Sequence, residues 1–226
     1  MHRIGNEKTA RHLRTVRVFL PLHRQQLLRA MAGGLALCAA LAVCTAYRRC
    51  SDIRQSVVRL HILANSDTEA DQALKLTVRD AVTSAAAGWL DGAADADEAL
   101  RLAENALPQL QAAAEDALRA ADSTQSVRAE VCRMYFPTRE YAAENGTVTL
   151  PAGMYDAVRL TLGEGKGHNW WCVVFPPMCL GAAADEKQLG DVLSPDEERF
   201  VTGGSRYTVR FWLIEQIEEL LRRFRK

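Results

Sequence analysis

The side chains best suited to chemistry gather in one stretch, Gly163–Cys179, which reads GEGKGHNWWCVVFPPMC. Gly163, Gly165 and Gly167 permit positive φ and close backbone approach. Lys166 and His168 could hold an anion, and Glu164 or His168 could move a proton. Each chemistry has a spacing test. A phosphate loop needs a glycine five residues before its Gly-Lys pair and a Ser or Thr after it. Leu160 and Gly167 stand at those places, and His168 stands where a dinucleotide loop needs its third glycine. Tetrahedral zinc draws on closely spaced ligand pairs. His168, Cys172, Cys179 and Cys132 contain no CxxC, so no metal site is expected. Cys172 with His168 or His61 would make a nucleophile and base. A cysteine inside Trp-Cys-Val-Val-Phe reads instead as core or as half of a bridge. A Cys172–Cys179 disulfide across Pro176-Pro177 suits an exported domain. Glu164 has no carboxylate partner at a catalytic spacing, so a contact to backbone or to Lys/Arg is its ordinary role. The reading is of no catalytic residue and no cofactor.

Recognition remains. Trp170 and Trp171 are adjacent, so in a strand they face opposite sides of the sheet. Either one of them meets a partner, which suits the enrichment of Trp at interface centres, or both are core and the glycines only turn the chain.

Charge and hydropathy place this stretch in an exported body. The formal net charge is zero, with 28 Lys/Arg and 28 Asp/Glu. Residues 1–50 hold nine of the bases and one acid, Glu7, which leaves 19 bases against 27 acids after them. The head is therefore +8 and the body −8. A basic head alone would suggest nucleic acid. Here it precedes Ala30–Tyr47, eighteen residues without a charge, flanked by Arg29 and by Arg48 with Arg49. That length is near the lower limit for crossing a bilayer and long for a secretory signal. The expected organisation is a basic cytoplasmic segment over 1–29 and a signal peptide or signal anchor over 30–47. An exported domain follows over 51–226, oriented by the positive-inside rule. Cys44-Thr45-Ala46 offers small residues for cleavage after Ala46. Membrane contact through this helix is expected, and nucleic acid is not.

The elements that must carry the stretch follow from periodicity. Val57–Ala64 (VVRLHILA) reads as a strand covered on both faces, where Arg59 would find a salt bridge and His61 would be a satisfied, semi-buried ring. Ser66 and Glu69 have capping-box spacing, and Leu74, Val78, Ala81 and Val82 make the apolar stripe of the helix that follows. Residues 95–121 read as two short helices, or as one kinked at Pro108. Val127–Phe136, Thr147–Leu150, Met154–Leu162 and Trp171–Phe175 read as strands, with turns at Asn145-Gly146 and Pro151-Ala152-Gly153. Gly181–Gly204 reads as a loop with a helical turn at Pro195–Glu198. Tyr207–Phe224 reads as a helix with Leu213, Ile217, Leu220 and Phe224 on one stripe and Glu218–Arg222 and Glu219–Arg223 pairs. The body is thus α+β, a single exported domain with an antiparallel-rich sheet and covering helices.

Two stretches, LHILANSDTEADQALKLTVRDAV at 60–82 and LPAGMYDAVRLTLGEGKGHNWWCVVFPPMC at 150–179, resemble the stage II sporulation protein R family of endospore-forming bacteria. The resemblance covers roughly residues 54–180. It implies a protein made in the forespore and exported into the space between forespore and mother cell. There it would trigger a membrane-embedded aspartic protease in the opposing membrane, which removes the pro-segment of a mother-cell sigma factor. Such a protein is a signal and not an enzyme. Gly163, Gly165, Lys166, Gly167, Asn169, Trp170 and Trp171 would form or support the receptor-contacting loop, with Asn65, Ser66 and Asp67 nearby because both segments follow strands. The alternatives are a secreted wall-remodelling hydrolase using His168, Glu164 or Cys172, and a passive membrane-anchored structural module.

Overall fold

The computed structural model describes residues 7–86, 92–143, 146–176, 192–202, and 215, 216, 218–220 and 223. The chain divides into two units, residues 1–48 and 49–226. Helix α1, Glu7–Gln55, begins in the first and ends in the second. Its segment Arg24–Gln55 is long and apolar enough to cross a membrane, a property that an anchor and an export signal share. Leu27, Leu28, Met31, Leu35, Leu37 and Leu41 are all more than half exposed there. Bare apolar surface of that kind is stable against lipid and costly against water.

The second unit is built on β1 (Val58–Leu63), β2 (Val127–Phe136), β5 (Gly153–Leu162) and β6 (Asn169–Phe175), in the order β2-β5-β1-β6. β1 runs parallel to β5 and antiparallel to β6, and β2 runs antiparallel to β5. The sheet is mixed, with antiparallel pairs in the majority. Alternation decides its faces. Val58, Leu60 and Ile62 share one face with Val158, Leu160, Leu162, Cys172 and Val174. Two helices cover that face: α2 (Glu69–Ala86) through Val78 and Val82, and α3 (Ala96–Ala120) through Ala99, Ala103, Leu110, Ala114 and Leu118. The alanines on this stripe let α3 lie close to the sheet.

Pro108 sits inside α3, which runs through it as one helix, the single-helix alternative of the two expected. Proline leaves the carbonyl four residues back without its donor. Pro108 and Glu104 are both exposed, so water can satisfy that carbonyl. The N-terminus of α3 is capped by Asp95, whose Oδ1 accepts from Glu98 N at 2.8 Å. The cap of α2 falls two residues later than its sequence suggested. Thr68 Oγ1 accepts from Asp71 N at 3.3 Å, and Ser66 and Glu69 do not form the box.

The opposite face is crossed by a hairpin of β3 (Arg139–Ala143) and β4 (Gly146–Leu150). Strand β3 was not expected, and Gly146, assigned to a turn, is the first residue of β4. Arg59, fully buried, does not form the expected salt bridge among the described residues. Its Nε donates to Cys172 O at 3.0 Å and its Nη2 to Tyr141 Oη at 2.5 Å. Its guanidinium lies 4.3, 4.9 and 5.5 Å from the ring centroids of Phe136, Tyr155 and Tyr141. Three ring faces supply the negative potential that a carboxylate would otherwise give, while burial pulls the Arg59 pKa below its ordinary value.

Helix α4, Pro195–Thr202, extends the single turn expected there and buries Phe200 and Val201. Most of Tyr207–Phe224 lies outside the described residues. Within it, Glu215, Gln216, Glu218–Leu220 and Arg223 are helical. Arg223 Nη2 meets Glu219 Oε1 at 2.9 Å as expected. Leu220 is exposed, contrary to the assigned stripe, and Glu218 is the buried residue.

Candidate functional site

Parallel pairing of β1 with β5 puts their carboxyl ends at the same edge of the sheet, and β6 starts from that edge. The loops leaving β1 (residues 64–68) and β5 (residues 163–168) are therefore neighbours. Arg49–Gln55, where the chain enters this unit, leads into the amino end of β1, so the loops lie at the far end of that strand.

The two loops are stitched by backbone. Lys166 N donates to Asn65 O at 3.0 Å and Gly167 N to Ala64 O at 2.9 Å. Side chains add to the seam. Asn65 Oδ1 accepts from Glu164 N at 2.9 Å, and Asp67 Oδ1 accepts from His168 N at 2.6 Å. The glycines are needed for this approach. Gly163 and Gly165 have φ of 53° and 62°, a region costly to residues with a Cβ. A Cβ on Gly163 would stand 2.2 Å from Asn65 Oδ1, and one on Gly167 2.2 Å from Ser66 O.

Helix α2 holds the seam from below. Asp71 accepts from Asn65 Nδ2 at 2.9 Å, from Ser66 Oγ at 2.5 Å and from Gln125 Nε2 at 2.5 Å. Donors from Ser66, Asn65 and Gln125 hold its carboxyl below the usual carboxylate range, because each bond favours the charged form. Lys75, 6% exposed, donates to His168 O at 3.1 Å and Gln72 Oε1 at 2.6 Å. Burial lowers its pKa. Asp71, Lys75, Gln125 and Gln72 were absent from the sequence-based site. Their signal was present: Asp71 and Lys75 continue the buried stripe Val78, Val82, Ala86 toward the amino end of α2. Polar residues on a buried stripe need partners.

The structure brings together all of Asn65, Ser66, Asp67, Gly163, Gly165, Lys166, Gly167 and Asn169, and it separates the tryptophans. Trp170 packs partly buried against the helix-side core, with the Arg79 guanidinium 5.6 Å from its ring centroid. Trp171 lies on the other face, stacked on His61 at 4.1 Å and edge-on to Phe136 at 4.7 Å. His61 itself is 3% exposed and only half satisfied. Its Nε2 meets Asn169 Oδ1 at 2.5 Å, while Nδ1 has no partner. Burial lowers its pKa.

The exposed chemistry consists of a contact of His168 Nδ1 with Asp67 Oδ1 and one ion pair, Lys166 Nζ with Glu164 Oε2 at 2.6 Å. Each partner shifts the other: Lys166 lowers the Glu164 pKa and Glu164 raises that of Lys166. Cys172 is disulfide-bonded and offers no thiolate. Cys179 lies outside the described residues. Among the described residues no group of three His, Cys, Asp or Glu side chains could hold a metal ion.

These features define an α+β domain that follows an apolar helix and ends in a rigid, charge-tipped pair of loops. A model of the family described as "Stage II sporulation protein R (spore_II_R)" matches residues 54–185, and the chain belongs to that family. It is 40% identical over 127 residues to the stage II sporulation protein R of Bacillus subtilis (strain 168), covering 56% of this chain. The match spans 55% of that relative, so this chain covers about half the length of the curated protein it matches. No solved structure matches it.

Proposed function

We propose that the chain is an intercellular signal of sporulation. Its body is exported from the forespore, meets a membrane-embedded aspartic protease in the opposing membrane, and switches on cleavage of a pro-sigma factor. The observation that carries this reading is the meeting of the two family-bearing stretches, 60–82 and 150–179, in one loop pair at 64–68 and 163–168. Its position at the far end of β1 from Arg49–Gln55 suits a domain that is delivered through one membrane and reaches toward another. The groups a hydrolase reading would use are engaged otherwise, Cys172 in a disulfide, Glu164 with Lys166 and His168 with Asp67. The test is to co-produce the full chain with the protease and its pro-sigma substrate. Shortening of the substrate only when the chain is present is expected, and an unprocessed substrate overturns the proposal.

A further inference from the structure

We infer that the partner is read through charge order and not through tryptophan: Asp67, Glu164, Lys166 and His168 form a rim for a protein surface carrying acidic and basic groups in matching sequence. This inference rests on the function proposed above and names the partner chemistry of the same loops. Three observations carry it.

The first is what the loops do not expose. Trp170 and Trp171 are each half-buried and packed against the domain on opposite faces of the sheet. After α1, the large apolar side chains exposed among the described residues are Leu76 and Leu220, neither in the two loops. An aromatic anchor of the kind that dominates many interfaces is therefore missing from this tip.

The second is what they do expose. The side chains of Lys166 and Glu164 are 74% and 69% exposed, and those of His168 and Asp67 74% and 55%. Charged contacts so exposed contribute little to stability, so holding the fold does not explain four such side chains on one short tip. Their backbones are immobile by construction, through the Lys166–Asn65 and Gly167–Ala64 bonds and glycines without room for a Cβ. Charges on a fixed frame lose little entropy when a partner docks.

The third is the sign pattern. Each acid is in direct contact with a basic side chain, so the tip has no strong field of one sign. A phosphate-rich partner, whether nucleic acid or anionic lipid, would find no net positive field there, because Asp67 and Glu164 offset His168 and Lys166. A mixed-charge protein surface can instead exchange ion pairs with the rim and fix the register of docking.

The test is a charge swap in the full chain, Glu164→Lys with Lys166→Glu. It keeps the internal pair and the glycine frame and reverses only the order shown to a partner. Pro-sigma cleavage at equal protein level should fall about tenfold or more, since opposed like charges are strongly unfavourable. Wild-type cleavage should also weaken as salt is raised. A neutral pair, Glu164→Gln with Lys166→Gln, guards against misfolding of the swap and should give a smaller loss. Wild-type rates from either variant, with thermal unfolding unchanged, overturn the inference and leave the signalling function standing. No cleavage from the wild-type chain overturns both.

Discussion

The two ends of β1 use the same device for opposite purposes. At the loop end, Gly163 with positive φ lies against Asn65, and a Cβ there would meet the Asn65 side chain. At the base, Gly153 with φ of 149° lies against Arg54, whose Cδ would stand 2.5 Å from such a Cβ. Both pairs lock a strand end to a neighbouring segment through a glycine and a polar side chain. They differ in charge and burial. Asn65 is neutral and serves loops open to solvent. Arg54 is buried, donates to Ala152 O at 2.9 Å and pairs with Glu218 Oε1 at 3.0 Å, both side chains at most 10% exposed. Where charge is buried it ties the turn before β5 to the C-terminal segment. Where charge is exposed it is displayed on a frame already fixed by backbone bonds and by Asp71 and Lys75 beneath it.

The largest test of this contrast is Arg54→Leu, which leaves Glu218 buried and unpaired. It should cost about 3–5 kcal/mol of stability, measured by urea unfolding. Gly167→Ala should come next, at about 2–3 kcal/mol, because its methyl would collide with the Ser66 carbonyl. Gly92→Ala, with nothing within 4 Å of a new Cβ, should change little. The expected Cys172–Cys179 bridge closes a short loop, so replacing both cysteines with Ser should cost about 2 kcal/mol. Denatured and unreduced, the chain should alkylate at Cys38, Cys44, Cys50 and Cys132 alone. Acid should then separate the groups. Asp71 has a lowered pKa, so its stabilisation is complete above the ordinary carboxylate value of about 4 and is lost as pH falls toward its folded value. His61 is also lowered. Its neutral form is favoured on folding, and stability declines as pH drops below about 6.5. Asp71→Asn should remove the lower of these two declines in the urea midpoint and leave the upper. The smallest effect belongs to the rim: Lys166→Ala should shift stability by less than about 0.5 kcal/mol.

The sheet was legible wherever residues alternate between two demanding environments. Val127–Phe136 appears with the expected bounds, and β1 and β5 differ by a residue at their ends. Arg139–Ala143 offered no such alternation, and β3 went unseen. Pro108 suggested a break because the rule concerns its lost donor, whereas the outcome depends on which side of the helix faces water. At the loops, glycine spacing marked where the backbone of 163–167 comes close to 64–66. Twin tryptophans left a partner-facing ring and a core pair both open, because their types are visible in sequence and their faces are not. Arg59 shows the same limit, since the three rings around it come from β2, β3 and β5. The residues under the loops, Asp71 and Lys75, were marked only by being polar on an apolar stripe.

The place of β1 in the sheet governs when this domain can form. Arg59 is bracketed by Ala157 on one side and Val173 on the other, so β1 is the first strand of the sheet to be synthesised and pairs only when β5 and β6 follow. Closing loops of that length is slow compared with forming the local α2–α3 contacts. A chain threading through a membrane from its amino end would therefore carry VRLHIL unpaired until β5 and β6 arrive. The domain, and with it the loop pair, can assemble only after most of the chain has emerged.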